Sequence, residues 1–271
     1  MASTDKVFAG PIPEIYDRIL VPLLFETYAT DLAERVADAR PQRILEIAAG
    51  TGAVTRAIAA RLDATGRIVA SDLNQPMLDR AAARQGADAR ITWRQADAMD
   101  LPFNDQGFDV VVCQFGAMFF PDKLQAYQEV YRVLRPGGHY LFNVWDQISE
   151  NDFPRVVTDA LVGVFPHDPP RFMERTPHGY HDLDMIRRDL ATAGFDAISI
   201  ETLGRMSRAG SAQEVAVAYC QGTPLRTEIE ARAPPNLEAV TQSVAEALAR
   251  SFGHGAIEGK IRAHVVSAKR R

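Results

Sequence analysis

From residue 43 onward, short apolar runs and amphipathic stretches take turns. "RILEIA" reads as a strand and "AVTRAIAARL" as a helix; "RIVASD" reads as a strand and "PMLDRAAARQ" as a helix. "ITWRQ" is a strand with the loop "ADAMDLPF" behind it, and "FDVVVCQF" is a buried strand before the helix "KLQAYQEVYRVL". "HYLFNVW" follows as a strand. Strands alternating with helices of about ten residues build parallel β-α-β units with right-handed crossovers. Runs as apolar as "DVVVC" and "IVA" suit strands covered on both faces.

The flanks are less regular. Residues 1 to about 11 read as loose. "PEIYDRIL" and "VPLLFETYATDLAERVADA" read as two helices, with Pro13 and Pro22 near their starts, where a missing N–H does no harm. Leu24, Tyr28, Leu32 and Val36 stand four apart and give the second helix one buried face. Residues 147–180 carry several prolines and predict loops with one helix near 153–164. "DLDMIRRDLATAGF" predicts a helix stopped at Gly194. "AISIETL" predicts a strand, 211–251 two or three helices, and "KIRAHVVSAKR" the last strand. The sum is an α/β fold: a doubly wound, mostly parallel, seven-stranded, Rossmann-like sheet with N-terminal helices and a helical cap inserted before the last strand.

Composition narrows the function classes. With 46% apolar and 24% charged residues the chain can fill an ordinary globular core. Net charge is −5, and the one dense basic run, Lys269-Arg270-Arg271, is expected to be a solvated strand end, which argues against a nucleic-acid partner. Cys113 and Cys220 are far apart, make no metal spacing and sit among apolar neighbours, as thiols do in a reducing compartment; no metal is expected. The start of the chain lacks the apolar core of a signal peptide, and no stretch approaches the ~20 apolar residues of a membrane span. A cytoplasmic protein is expected.

The chemistry gathers at the first strand–helix turn. In a doubly wound sheet, ligands bind beyond the strand C-termini where strand order reverses. Gly50 and Gly52 would stand there, and the helix behind them points its N-terminal dipole at the same place. A dinucleotide-binding turn would need a third glycine, and that position holds Thr55. Glu46 would also face two phosphates poorly. It suits a cation, such as the sulfonium and ammonium of S-adenosylmethionine. Asp72, at the end of the second strand, can accept both ribose hydroxyls of NAD or of an adenosyl cofactor. Asp97 could accept an adenine amino group while Ala98 offers its N–H, with Leu73 and Met77 over the ring faces.

These residues together resemble the class I S-adenosylmethionine-dependent methyltransferases, closest to the ubiquinone/menaquinone-biosynthesis-like group of small-molecule enzymes. "LEIAAGTG" is similar to that family's glycine loop, with Ala48 where glycine is commoner. Asp72 matches the acidic second-strand end, and Asp97, Ala98, Leu101, Pro102 and Phe103 match the signature after the third strand. "FDVVVCQFGAMFFPD" and "YRVLRPGGHYLFNVWD" match the fourth strand with its loop and the turn into the fifth. The resemblance spans residues 40–147 closely. It implies that Glu46, Ala48, Gly50 and Gly52 line the methionine and sugar side, that Asp72 holds the ribose, and that Leu73, Met77, Asp97 and Ala98 hold adenine. Gln114 and Phe115 would flank the methyl-donating end, and Tyr16 and Tyr28 on the N-terminal helices are candidates for contact, although helix packing also accounts for them. Residues 1–40 would form a helical cap, 41–146 the cofactor-binding core, and 147–271 the rest of the sheet with the substrate pocket and lid. The cofactor would be S-adenosyl-L-methionine and its product S-adenosyl-L-homocysteine.

The acceptor is less constrained. No proline pair follows the fourth strand, unlike the enzymes that methylate nucleobase amino groups; Cys113 lacks the preceding proline of cytosine-C5 enzymes; two thiols are too few for arsenic methylation. A small organic metabolite remains, with Met118, Phe119 and Tyr180 as candidate substrate contacts. If the acceptor is a hydroxyl, His178 or His181 could take its proton, although Asp182 there reads first as a helix cap. A homodimer is allowed for. Two other readings stay open at this point: a binding or regulatory module that holds the cofactor without turnover, and an NAD-dependent oxidoreductase.

Overall fold

The alternating pattern builds one seven-stranded sheet. The protein was analysed as a computed structural model in which residues 3–232 and 234–271 are described. The strands are β1 (Arg43–Glu46), β2 (Arg67–Asp72), β3 (Ile91–Gln95), β4 (Phe108–Gln114), β5 (Leu134–Trp145), β6 (Asp196–Ala209) and β7 (Ile257–Lys269). Their order is β3-β2-β1-β4-β5-β7-β6. Strands β1 to β5 pair in parallel, and β7 runs antiparallel to both of its neighbours. Strand order reverses between β1 and β4, so the crevice for a ligand opens above their C-terminal ends.

Side-chain alternation assigns the two faces. Ile44, Val110 and Val112 enter a cluster with Leu32, Val36, Val54 and Ile58. Leu45, Val111 and Cys113, one residue out of phase, enter the larger cluster on the opposite face. The first face is covered by α2 (Glu26–Asp38) and α3 (Ala53–Ala59). The second receives α5 (Lys123–Val133) and α8 (Leu183–Thr192). Asp182 caps α8 by accepting from the N–H groups of Asp184 and Met185. Helix α4 (Gln75–Gln85) joins β2 to β3. Three helices, α9 (Ala212–Gln221), α10 (Leu225–Glu230) and α11 (Leu237–Phe252), lie between β6 and β7 and form the cap; α6 (Asp152–Val164) packs against α9 and α11.

Four local expectations change. The two N-terminal helices are one continuous helical run: α1 (Ile12–Ile15), a π-helical segment Tyr16–Phe25, and α2. Pro22 lies inside the π segment rather than at a helix start. Its ring crowds the carbonyl four residues back in an α-helix, and widening the turn relieves that clash. The N-terminal stretch is not loose where it is described: Ser3–Lys6 forms a 3₁₀ turn, and the Phe8 N–H donates to Asn74 Oδ1 at 3.1 Å. Residues 147–180 hold a second short helix, α7 (Phe172–Arg175). In the basic C-terminus Lys269 and Arg271 are exposed as expected, but Arg270 between them is not a solvated charge. Arg270 Nη1 donates to the carbonyls of Tyr131 (2.7 Å), Arg132 and Leu134, at the negative end of α5, and its guanidinium stacks on the Tyr131 ring.

Candidate active site

The turn after β1 is wound left-handed at three positions, with φ of +52° at Ala48, +56° at Gly50 and +78° at Gly52. Glycine enters that region freely, whereas alanine carries about 1–2 kcal/mol of strain there. Ala48 is tolerated because Gly116 faces it: a Cβ at residue 116 would stand 2.4 Å from the Ala48 methyl. Gly52 answers to packing, since a Cβ there would meet the Trp93 ring at 2.9 Å.

Two carboxylates flank this turn. Asp72 is buried; its Oδ2 accepts the Gly50 N–H at 2.8 Å and its Oδ1 the Asn74 N–H at 2.8 Å. Oδ2 keeps a further lone pair, and Oδ1, which also takes a long bond from Asn74 Nδ2 at 3.4 Å, can exchange that bond for a ligand hydroxyl. Burial raises its pKa above the usual carboxylate value despite those bonds. Glu46 is 1% exposed and accepts from the Thr55 hydroxyl at 2.5 Å. Its pKa is pushed up to about 8, first by burial and then against the opposing help of Thr55 and Arg56. Thr55 thus occupies the third-glycine position with a task of its own.

Above the strand ends lies a cavity of about 1150 Å³, its open mouth included. Ala48, Gly50, Asp72, Leu73 and Met77 line it, as do Asp97, Ala98, Gln114, Phe115 and Tyr16. A smaller recess of about 270 Å³ shares Tyr16, Phe25, Ala48, Gly50 and Gln114 with it and reaches Glu46 and Thr51. The Thr51 hydroxyl in that recess is buried with no hydrogen-bond partner among the described residues. Such a group is costly to leave alone and marks a place for a ligand atom. An acid and an orphaned hydroxyl in the recess, and Asp72 beside the left-handed turn, fit an adenosyl amino acid. A pyrophosphate would find Glu46 where it needs a donor.

Other anticipated residues stand elsewhere. Gly52 and Tyr28 line neither hollow. Tyr28 is fully buried, donates to Leu203 O at 2.9 Å, and props Phe115 and Trp145 edge-on from behind. Of the substrate candidates, Phe119 lines the cavity, while Met118 is packed beneath it. Tyr180 is also buried away from the cavity, donating to Asp189 at 2.7 Å under the Lys123 ammonium. His178 and His181 are not brought to either hollow. His178 lies behind Trp145; its Nδ1 bonds Asp146 O at 2.8 Å, and burial pushes its pKa down to about 4, so the ring is neutral at neutral pH. His181 Nδ1 is tied to His178 O.

The sequence reading passed over much of the apolar wall. Trp145 stacks face to face on Phe115 with centroids 3.8 Å apart, and Tyr16 stacks on Phe25 at 5.1 Å. Trp145 ends β5, and the rule that strand C-termini face the ligand could have found it. Phe8, Phe172 and Tyr219 also line the cavity, from segments with no local signal.

A family profile described as a methyltransferase domain matches residues 44–138. The ubiquinone/menaquinone biosynthesis C-methyltransferase of Proteus mirabilis is 29% identical over 175 residues, covering 59% of this chain and 68% of that protein. The demethylmenaquinone methyltransferase of Lactobacillus johnsonii is 41% identical over 97 residues, covering 35% of this chain and 40% of that one. Among solved structures, the YcgJ protein of Bacillus subtilis superposes with a TM-score of 0.57 at 17% identity, over 90% of this chain and 99% of that one, a likeness of fold.

Proposed function

Given that this chain is a class I S-adenosylmethionine-dependent methyltransferase of the ubiquinone/menaquinone-biosynthesis-like group, moving methyl groups to a small organic metabolite, we propose how its cavity divides the work. Asp72 holds the ribose hydroxyls through its two carboxylate oxygens. Asp97 and Ala98 hold adenine between Leu73 and Met77. Glu46, Thr51, Ala48 and Gly50 hold the amino-acid end, with Tyr16 closing over it. Gln114, whose Nε2 donates to Phe25 O at 3.1 Å, and Phe115 flank the reacting end.

When bound, the cofactor supplies a methyl group already activated on a sulfonium. What the chain adds is position and dryness. Orientation of two reactants is worth up to ~7–11 kcal/mol. The aromatic wall of Phe25, Phe115, Phe119 and Trp145 excludes water and holds the acceptor close. No residue lining the cavity is assigned as a general base, and the neutral, enclosed His178 is not one. The acceptor is proposed to be an apolar metabolite that needs none. The proposed division of labour is residues 1–40 as a helical cap, 41–146 as the cofactor-binding core, and 147–271 as the rest of the sheet with the substrate pocket and lid.

No described helix is long and apolar enough to cross a membrane. We place the protein in the cytoplasm, with a small molecule and no nucleic acid as partner. A homodimer is its proposed assembly.

The observation that carries this reading is Asp72, buried at the cavity floor and oriented by the N–H groups of Gly50 and Asn74. Calorimetric titration tests it. S-adenosylhomocysteine should bind one site per chain, NAD should not compete, and Asp72→Ala should weaken binding at least tenfold, as expected for losing charged hydrogen bonds of about 1.5–3 kcal/mol each. An unchanged dissociation constant would overturn the assignment.

A further inference from the structure

The substrate half of the cavity is nearly all carbon. Leu20, Leu24, Phe120, Phe172, Met173 and Pro177 line it. Two hydroxyl-bearing residues from the cap join them, Tyr219 on α9 and Thr223 just beyond it. The Thr223 hydroxyl is already engaged: it donates to Tyr219 O at 2.7 Å and accepts the Leu225 N–H at 3.2 Å. The Tyr219 hydroxyl is not. The residue as a whole is 2% exposed; no described residue bonds its phenol oxygen, and that oxygen is not among the atoms sealed from solvent, so it opens on the cavity. Among the other deeply buried phenols, Tyr28, Tyr127 and Tyr180 donate to protein oxygens, and Tyr140, whose hydroxyl also lacks a partner among the described residues, lines neither hollow.

A phenol O–H that faces a cavity without a protein partner is completed there by water or by a ligand, and in an otherwise apolar wall it marks where a polar ligand atom gains most. In an apolar chamber a lone donor also gives sharp selectivity. A ligand with a matching oxygen gains the bond, and one without it leaves the phenol stranded. Burial raises the phenol's pKa, so it remains an O–H and offers a proton without giving it up. Tyr219 lies outside the matched segment 44–138.

We propose that Tyr219 is the polar anchor of the acceptor subsite, selecting a compact, uncharged, mainly apolar ring compound that carries an oxygen, either a carbonyl or a hydroxyl. This rests on the cofactor assignment above, because the cofactor half of the cavity must be filled before the remainder is a substrate site.

The test uses the full chain saturated with S-adenosylhomocysteine and four probes of matched size: naphthalene, 2-naphthol, 2-acetonaphthone and 2-naphthoate. Binding is followed by ligand-observed NMR. In the wild type, 2-naphthol and 2-acetonaphthone should bind at least tenfold more tightly than naphthalene, and 2-naphthoate should gain nothing over naphthalene. Tyr219→Phe should erase the tenfold advantage, leave the affinity for S-adenosylhomocysteine within twofold, and leave the melting temperature unchanged or higher. The proposal is overturned if the oxygenated probes show no advantage in the wild type, including if none binds. It is also overturned if Tyr219→Phe keeps the advantage, or if that variant melts several degrees lower, which would reveal a structural partner for the hydroxyl. Failure of S-adenosylhomocysteine to bind the wild type would be a different result: it would remove the cofactor assignment, and this proposal with it.

Discussion

Glu46 shows what a single buried carboxyl does to the chemistry around it. With its pKa at about 8, it is mostly protonated at neutral pH in the free protein. A cationic ligand in the adjoining recess favours the ionised form and lowers that pKa. The sign follows: below pH 8 binding must expel a proton, so affinity climbs with rising pH and levels off once Glu46 is ionised in the free protein. Between pH 6 and 7 the gain for S-adenosylmethionine should approach tenfold. Calorimetry in buffers of different ionisation enthalpy should register close to one proton released at pH 7, and Glu46→Gln should flatten both. A wild-type affinity that does not vary over this range would show that Glu46 feels no cation. Glu46, Asp72 and Asp97 could be picked out of the sequence because each stands at a strand end, where local pattern fixes place. Trp145 was within reach of the same rule. Tyr219 and Phe8 were not, because what makes them cavity residues is a cap helix and an N-terminal segment folding back over the sheet. The histidines at 178 and 181 show the reverse case: nearness in sequence suggested a site, but His178 is buried against Trp145 and His181 is tied to the His178 carbonyl, and neither lines the cavity.

The element with the most unusual geometry is the π-helical segment. It carries Tyr16 and Phe25 to the cavity and is pinned at Asp17, which is fully buried. Arg80 reaches that carboxylate at 2.8 Å and Arg84 at 3.0 Å, with Arg56 at 3.8 Å, so helices α3 and α4 both grip one acid. Removing one partner of a fully buried pair costs about 3–5 kcal/mol. Arg80 and Arg84 are 40% and 41% exposed, so water compensates part of the loss, and Asp17→Asn should cost about 2 kcal/mol. That corresponds to roughly 4–8 °C in melting temperature. Differential scanning calorimetry should find the drop, and titration should find weaker cofactor binding because Tyr16 follows Asp17. A variant that melts with the wild type would mean the three arginines are solvated and the clamp is idle. The strands from β1 to β5 were readable from apolar alternation, which burial on both faces of a parallel sheet enforces. The π register was not. Pro22 carries the same signature at a helix start as inside a widened turn, and only the packing of the whole run against α9 distinguishes them.

At the scale of the molecule, the cavity is closed by parts of the chain that are distant in sequence, and that closure should govern how fast the cofactor leaves. The core supplies the floor, the cap one wall, and the N-terminal stretch a strap across the mouth. Phe8 meets Tyr16 and Phe119 edge-on at 5.9 and 5.8 Å, while its N–H binds the same Asn74 that orients Asp72. The strap is moored by Asp5. Its carboxylate accepts from Arg175 at 2.6 and 3.0 Å and from the Thr176 hydroxyl at 2.6 Å, and Arg175 in turn bonds Glu228 on α10 at 2.5 Å. Asp5 and Arg175 are 170 positions apart, which is why an N-terminal stretch without periodicity gave no sign of this role. Charge-assisted bonds of this kind contribute about 1.5–3 kcal/mol each where desolvated, and Asp5 is 1% exposed. Asp5→Ala should therefore free the strap while leaving the floor intact. Stopped-flow displacement should show S-adenosylhomocysteine leaving at least tenfold faster, with association nearly unchanged, because a lid that must open to release a ligand sets its residence time. Hydrogen exchange should localise the cause. In the wild type, amides of residues 3–8 and 172–176 gain protection when the cofactor product binds, and Asp5→Ala loses that gain there while β1 and β4 keep theirs. Equal dissociation rates in the two proteins would place the exit route elsewhere and reduce the strap to a structural tie.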